Sequence, residues 1–496
     1  MRQRQIGVAL RSFLKWCQSR DFSPLETSIP LALGEDYEIS GLTLAAKAAL
    51  LLKGFVPEQN SSLPSDPAQT PASPAFSSRA WAWVPTLYLA EGLPNALVVT
   101  VSVILYKEMG ISNTDITFYT SWLYLPWVIK PFWSPVVDIL KTRRMWIWVV
   151  QLILGAALAG IALTLPASRF FQLSLAFFWL LAFSSATHDI AADGFYMLGL
   201  TEHDQSFFVG IRNTCYRVAT VCAQGLLVVF AGRIEDVTGN RVLAWSTAFG
   251  VMAGLFIVLA TYHWLVLPHP PADKPGSTAS LTRFFNDFFA TFGAFFRKPK
   301  IVILLLFLLF YRFAEAQLLK MVPPFLLDER VHGGLHLSLD QVGFFYGTVG
   351  VIALMLGGIA GGLLVSRHGL GFWLWPMVFI MHLPDAAFIY LSYVQPTHLP
   401  TIGMCIALEQ FGYGFGFTAY MLYMLYIARG RHSTAHYAIC TGFMAMGLMV
   451  PGLWSGALQE ALGYRHFFTW VLVATIPGFI VTALIPLDRE FGRKQL

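Results

Sequence analysis

From Trp81 onward the chain is a succession of twelve apolar segments, at about 82 to 105, 117 to 138, 145 to 165, 170 to 197, 207 to 231, 243 to 267, 301 to 326, 341 to 366, 370 to 394, 399 to 427, 435 to 459 and 466 to 486. At about 1.5 Å of helical rise per residue, each is close to the roughly 20 residues that cross a bilayer. Lipid offers no partner for a backbone amide or carbonyl, so such a segment bonds its own backbone and runs as a helix. The sequence therefore predicts an all-α integral membrane protein. Its composition agrees, with 56% hydrophobic and 12% charged residues, where soluble domains carry about a quarter charged. A formal charge of +5 over 496 residues gives no reason to expect nucleic acid as a partner. The five cysteines, Cys17, Cys215, Cys222, Cys405 and Cys440, are odd in number, scattered, and form no CxxC pair. They indicate no disulfide framework, no metal site and no redox cofactor.

The longest break between segments, Pro268 to Lys300, divides them six and six. It carries Pro268, Pro270, Pro271 and Pro275, then an amphipathic stretch from Leu281 to Phe296 suited to lie along the membrane surface. Alternate loops are rich in basic residues: Lys141, Arg143 and Arg144; Lys274, Arg283, Arg297, Lys298 and Lys300; Arg367; Arg429 and Arg431; then Arg489, Arg493 and Lys494. The positive-inside rule makes that side, and with it both termini, cytoplasmic. Residues 1 to 80 differ from the rest. A basic start leads to an apolar helix at 42 to 53 that is too short to span, followed by a stretch from Pro57 to Ser78 rich in Pro, Ser and Ala. The expected organisation is a cytoplasmic extension and disordered linker at 1–80, a six-helix bundle at 81–267, a cytoplasmic linker at 268–300, a second six-helix bundle at 301–488, and a tail at 489–496.

The two halves share sequence. Leu89-Ala-Glu91-Gly in the first segment matches Phe313-Ala-Glu315-Ala in the seventh, and Asp115 to Tyr119 matches Asp340 to Tyr346 at nearly the same offset. Two matches in register favour duplication. Two pseudo-symmetric six-helix halves are the plan of a transporter that rocks around a site at the bilayer midplane.

Charge inside an apolar segment is costly and is kept where it faces a cavity, a partner or a ligand. Residues 184 to 195, Ser-Ser-Ala-Thr-His-Asp-Ile-Ala-Ala-Asp-Gly-Phe, put His188, Asp189 and Asp193 in such a place. Asp189 and Asp193 are four apart, on one helix face, and repel unless a proton or cation separates them. They are candidates for proton coupling, or they pair with Arg212 or Arg217 in the fifth segment. His188 either relays protons or is a satisfied interior histidine. Lys130 either holds a substrate carboxylate or neutralises Asp189.

Several motifs resemble one family. Trp127-Val-Ile-Lys-Pro-Phe-Trp-Ser-Pro-Val-Val-Asp138 with Arg143-Arg144, the Ser184 to Asp193 stretch, Glu91-Gly-Leu-Pro94, Tyr216-Arg217, Pro324-Phe-Leu-Leu327 and Glu409 to Gly416 are similar to the AmpG-type muropeptide permeases of the major facilitator superfamily, over roughly residues 82 to 488. The resemblance implies a proton-driven importer in a bacterial inner membrane. Its cargo is peptidoglycan fragments containing N-acetylglucosamine and anhydro-N-acetylmuramic acid, with lipid and protons as its other partners. Ser134 and Ile139 stand where the superfamily loop usually has Gly and a basic residue. His188, Gly194 and Glu91 also depart from the familiar enterobacterial pattern.

With that plan in view, the proton-coupling candidates are Asp189, Asp193 and Glu409. The substrate-binding candidates are Lys130, Glu91, Arg217, Arg312, Glu315, Trp127 and Tyr413. Arg312 and Glu315 are three apart on a helix and can instead pair with each other. Asp138, Arg143 and Arg144 are candidates for a cytoplasmic gate, and a monomer is expected. An enzyme acting on lipid-linked sugars is disfavoured, since the chain has no HExxH, no GxSxG and no P-loop lysine. Two other readings are carriage of a different amphipathic anion, such as an acyl-CoA, nucleotide or siderophore, and a sensor whose output arm is the extension.

Overall fold

The structure is a computed structural model that describes residues 75–200, 202–275, 289–290, 292–429, 433–488 and 491. The expected extension and most of its linker, the amphipathic stretch at 281–288 and the tail at 492–496 lie outside the described residues.

Among the described residues the chain is helical, with no strand. Nine of the described helices are long and apolar enough to cross a membrane by length and composition. One of them, His436–Leu484, has 49 residues and turns at Gly463, whose φ of 70° favours glycine. The turn divides it into spans 11 and 12. Asn113–Trp122 with Leu125–Leu140 (span 2) and Leu399–Ala428 (span 10) are equally helical, but charge or Gly and Tyr dilute their apolar windows. Among the described residues the helical segments thus number twelve, the number that hydropathy predicts. The others are Arg79–Glu108 (span 1), Arg143–Thr164 (span 3), Phe170–Gly199 (span 4), Gly210–Thr238 (span 5), Arg241–Val266 (span 6), Ile301–Leu327 (span 7), Leu339–His368 (span 8) and Leu370–Val394 (span 9).

Spans 1, 5, 7, 8 and 9 are irregular. Spans 1, 5 and 8 widen into π-helical turns at Leu97–Val101, Cys222–Leu226 and Gly343–Gly350. Span 7 breaks between Phe310 and Phe313, and span 9 passes through a 3-10 turn at Leu383–Asp385. Wide turns and broken helices in a membrane persist where the freed backbone groups find other partners, which is most often beside a site. Here Tyr420 donates to the Leu308 carbonyl at 2.7 Å and Tyr311 to the Gly416 carbonyl at 2.9 Å.

Spans 3, 4 and 6 pack together in the first half, and spans 8, 9 and 10 in the second. Across the halves, span 2 lies on span 11 and span 5 on span 8. Polar contacts join the halves at the end opposite the basic loops. Asn113 donates to Gln459 at 2.6 Å, the Thr114 hydroxyl to Glu460 at 2.6 Å, and Lys107 pairs with Asp328 at 2.5 Å. Spans 5 and 8 approach so closely that a Cβ built on Gly347 would lie 1.9 Å from the Gln224 carbonyl. Overpacking of this kind costs about 1–3 kcal/mol or more. Gly347→Ala is therefore expected to lower the thermal unfolding midpoint of the purified protein, whereas Gly362→Ala, which meets no atom within 4 Å, should leave it within error.

Candidate functional site

A cavity of about 290 Å³ lies between the halves, lined from spans 1, 2, 5, 7, 8, 10 and 11. Its lining carries three cations, Arg217, Arg312 and Lys320, and no carboxylate. Four tyrosines, Tyr124, Tyr216, Tyr346 and Tyr413, three amides, Asn95, Gln224 and Gln410, and the hydroxyls of Thr100 and Thr220 complete its polar surface. The irregular turns build it: Val99 and Thr100 come from the wide turn of span 1, Gln224 from that of span 5 and Tyr346 from that of span 8.

The cations are held without neutralising carboxylates. Lys320 is 3% exposed; its Nζ donates to the Thr120 hydroxyl at 2.9 Å and lies 5.1 Å from the Tyr124 ring centre. Arg312 sits at the break of span 7, donates to the Tyr413 hydroxyl, and places its guanidinium 4.6 Å from the Phe417 ring centre. Hydroxyl and ring contacts orient a cation but leave its charge free to attract an anion.

A second ionisable group lies in the first half. Lys130 of span 2 pairs with Asp189 of span 4 at 2.8 Å. In this conformation Lys130 is paired with Asp189. Glu91 of span 1 is buried, with its Oε2 lacking a hydrogen-bond partner. One turn along, Asp193 accepts from Arg212 at 2.9 Å and from the Tyr88 hydroxyl at 3.3 Å, while Arg212 also lies over the Tyr88 ring at 4.5 Å. Arg217, the other candidate partner, faces the central cavity instead. His188 is fully buried in a polar chain. Its Nε2 meets Gln151 at 2.9 Å, Gln151 meets His263 at 2.8 Å, and His263 meets the Thr86 hydroxyl at 3.0 Å. That chain ties together spans 1, 3, 4 and 6, while the Nδ1 of His188 is buried without a hydrogen-bond partner.

A third group is in the second half. Carboxylate oxygens of Glu315 (span 7), Asp385 (span 9) and Glu409 (span 10) lie within 4.8 Å of one another, and all three residues are buried. Both oxygens of Glu315 and Asp385, and Oε1 of Glu409, have no hydrogen-bond partner; Oε2 of Glu409 accepts from Gln410 at 2.9 Å. Glu315 and Glu409 therefore stand together, one turn away from Arg312 rather than paired with it.

The remaining candidates take other places. Trp127 packs against the apolar core. The Arg143 and Arg144 amides donate to the Asp273 carboxylate at 2.8 and 3.0 Å, capping span 3 with the linker. Arg144 further bonds the Leu267 carbonyl at 3.0 Å and the Trp264 carbonyl, which binds span 3 to the end of span 6. Arg143 runs over Gly194, where a Cβ would lie 2.3 Å from its Nε; the glycine after Asp193 makes room for it. The side chain of Asp138 lies outside the described residues. Sequence reasoning missed Lys320, Asp385 and His382, although each carries the signal that singled out Lys130, an ionisable side chain within an apolar segment.

A family model described as the Major Facilitator Superfamily matches residues 86–439. The chain is 25% identical over 409 residues to a Rickettsia conorii protein named as transporter AmpG 4, covering 80% of this chain and 94% of that one. It is 25% identical over 420 residues to the anhydromuropeptide permease of Escherichia coli, covering 82% of this chain and 80% of that one. The resemblance read from the sequence is thus matched by relatives that carry the AmpG name. Among solved structures, a bacterial homologue of the human lysosomal transporter Spinster aligns with a TM-score of 0.60 at 18% identity, over 83% of this chain and 96% of that one. The nucleoside transporter NupG aligns with a TM-score of 0.63 at 14% identity, over 83% and 100%. These two likenesses bear on the fold alone.

Proposed function

The chain belongs to the major facilitator superfamily, and we propose that it is a proton-coupled importer of anhydro-muropeptides working by alternating access across a bacterial inner membrane, with both termini cytoplasmic. The observation that carries the reading is the central cavity with three cations and no carboxylate. Peptide carboxylates of a muropeptide are anions that Arg217, Arg312 and Lys320 can pair with once both are desolvated. Asn95, Gln224 and Gln410 offer donors and acceptors for sugar hydroxyls and acetamido groups, and the tyrosine rings offer flat faces for the apolar sides of the sugars. The name of the Escherichia coli relative supports the same substrate class.

In this reading the halves divide as 81–267 and 301–488, joined by the linker at 268–300, and the contacts from Lys107, Asn113 and Thr114 to Asp328, Gln459 and Glu460 hold the outer side shut. Asp189 carries the coupling proton. When it is protonated its ion pair with Lys130 is lost, and Lys130 becomes a free cation beside Glu91. Re-forming the pair after proton release is one half of the cycle. Asp193, bound to Arg212 and Tyr88, fixes the helix on which Asp189 moves.

The test is competition binding with purified protein. A labelled anhydro-muropeptide is expected to be displaced by unlabelled muropeptide and, more weakly, by the free disaccharide. Displacement by acyl-CoA or nucleotide, with none by the disaccharide, would assign the cavity to another amphipathic anion.

A further inference from the structure

The buried carboxylates of the second half are not explained by anion transport. Glu315, Asp385 and Glu409 bring three acidic groups together in a dry place. The cations nearest to them do not neutralise them: Arg312 is turned to Tyr413, and His382 offers at most one charge at the edge of the group. Three carboxylates so placed repel strongly unless something positive lies between them.

Two further observations say what that is. His382 is 1% exposed, neither of its ring nitrogens has a hydrogen-bond partner, and its Nδ1 points at Asp385 from 3.8 Å. An unpartnered polar side chain buried so completely, aimed at oxygens that are themselves unpartnered, leaves bonding capacity that a ligand between them would satisfy. Secondly, two helix irregularities of the second half, those of spans 7 and 9, occur here. Glu315 lies in the first turn after the break of span 7, and Asp385 lies in the 3-10 turn that opens the second part of span 9. The N-terminal ends of helices favour charged carboxylates over neutral ones, which argues for a cation between them rather than three bound protons. Broken helices at the bilayer midplane are also where transporters place coupling ions.

We propose that Glu315, Asp385 and Glu409 form a binding site for a hard cation of the size of Na⁺ or Ca²⁺. Three atoms within 4.8 Å of one another have a centre at most about 2.8 Å from each, and hard cations of this size take carboxylate oxygens at about 2.3–2.6 Å. An all-oxygen set suits such ions, whereas Mg²⁺ demands shorter bonds and keeps several waters, for which a dry pocket has little place. The site is wired to the cavity at two points. Gln410 lines the cavity and donates to Glu409, and Arg312 lines the cavity three residues before Glu315. A cation in the site therefore leaves Arg312 fully available to an anion in the cavity, while an empty site draws Arg312 back towards Glu315. Cation and anionic substrate should accordingly bind with positive cooperativity, which by linkage is reciprocal.

The experiment is thermal unfolding of the purified full chain in detergent, titrated with NaCl or CaCl₂ against choline chloride at matched ionic strength, with KCl and MgCl₂ as size controls. A ligand that binds only the folded state raises the midpoint in a saturable way. We expect Na⁺ or Ca²⁺ to do so and the two controls not to, and the shift to vanish in Asp385→Asn and in Glu409→Gln. Equilibrium binding of radiolabelled Na⁺ and Ca²⁺ to the unaltered protein reads the same site without relying on either variant. No saturable shift and no bound label for either ion would overturn the proposal, as would a midpoint that responds only to pH, since protons then neutralise the cluster alone. A shift that survives in both variants would also overturn it, by placing the ion elsewhere. Because these readouts need no transport, failure of the muropeptide reading would leave them unchanged.

Discussion

Lys320→Met is expected to raise thermal stability and to cut uptake of an anionic muropeptide about ten- to hundredfold, two effects of opposite sign from one substitution. The cation is 3% exposed and is held by a hydroxyl and a tyrosine ring rather than by a carboxylate. Burying a charge without a counter-charge is expensive even after relaxation, so a methionine of similar volume relieves that cost. The same charge is one of three that an anionic substrate meets in the cavity. A hydrogen bond to a charged group is worth about 1.5–3 kcal/mol, which is about ten- to hundredfold in affinity. The loss should appear in KM for an anionic substrate and much less for a neutral disaccharide. If Lys320 were a structural tie, Lys320→Met would lower the unfolding midpoint, and uptake of charged and neutral substrates would fall together.

The second large effect is at the Lys130 and Asp189 pair. Asp189→Asn leaves Lys130 beside Glu91 without its closest counter-charge, 2.8 Å away in the unaltered protein. Removing one partner of a buried ion pair costs about 3–5 kcal/mol; these side chains retain 28% and 20% exposure, so the lower end or less is expected. Lys130→Met in the same chain removes the stranded charge, and the double variant is expected to recover most of the stability. Gradient-driven accumulation should be lost in both, because neither has the carboxyl group at position 189 on which the coupling depends. A double-mutant cycle on unfolding midpoints measures the recovery. Additive losses would mean that the two side chains do not act as a pair.

How much of this was legible in the sequence differs by level. The twelve crossings were readable because about 20 apolar residues have one physical solution in a bilayer. Individual site residues were visible for the same reason inverted: Asp189, Lys130, Arg217, Arg312 and Glu409 are charges in apolar segments. Their pairings were less visible. Arg212 and Arg217 are five residues apart, about 140° around a helix, so only one can face Asp193, and hydropathy does not say which. The structure gives Asp193 to Arg212 and the cavity to Arg217. Glu91 and Glu315 matched in the repeat, yet the two halves differ in what surrounds them. In the first, Lys130 supplies a cation next to the carboxylates; in the second, Asp385 adds another acid. The wide turns of spans 1, 5 and 8, which shape the cavity, have no local signature. At those of spans 5 and 8, Gly225, Gly343 and Gly347 let two backbones close to distances a side chain forbids.

The measurement that bears most directly on the account is uptake of a defined anhydro-muropeptide into proteoliposomes under an imposed inward proton gradient. The account predicts accumulation above equilibrium that collapses on adding a protonophore, with Asp189→Asn reduced to the collapsed level while still binding substrate. Accumulation that is indifferent to the gradient, or an Asp189→Asn variant that concentrates substrate normally, would contradict it.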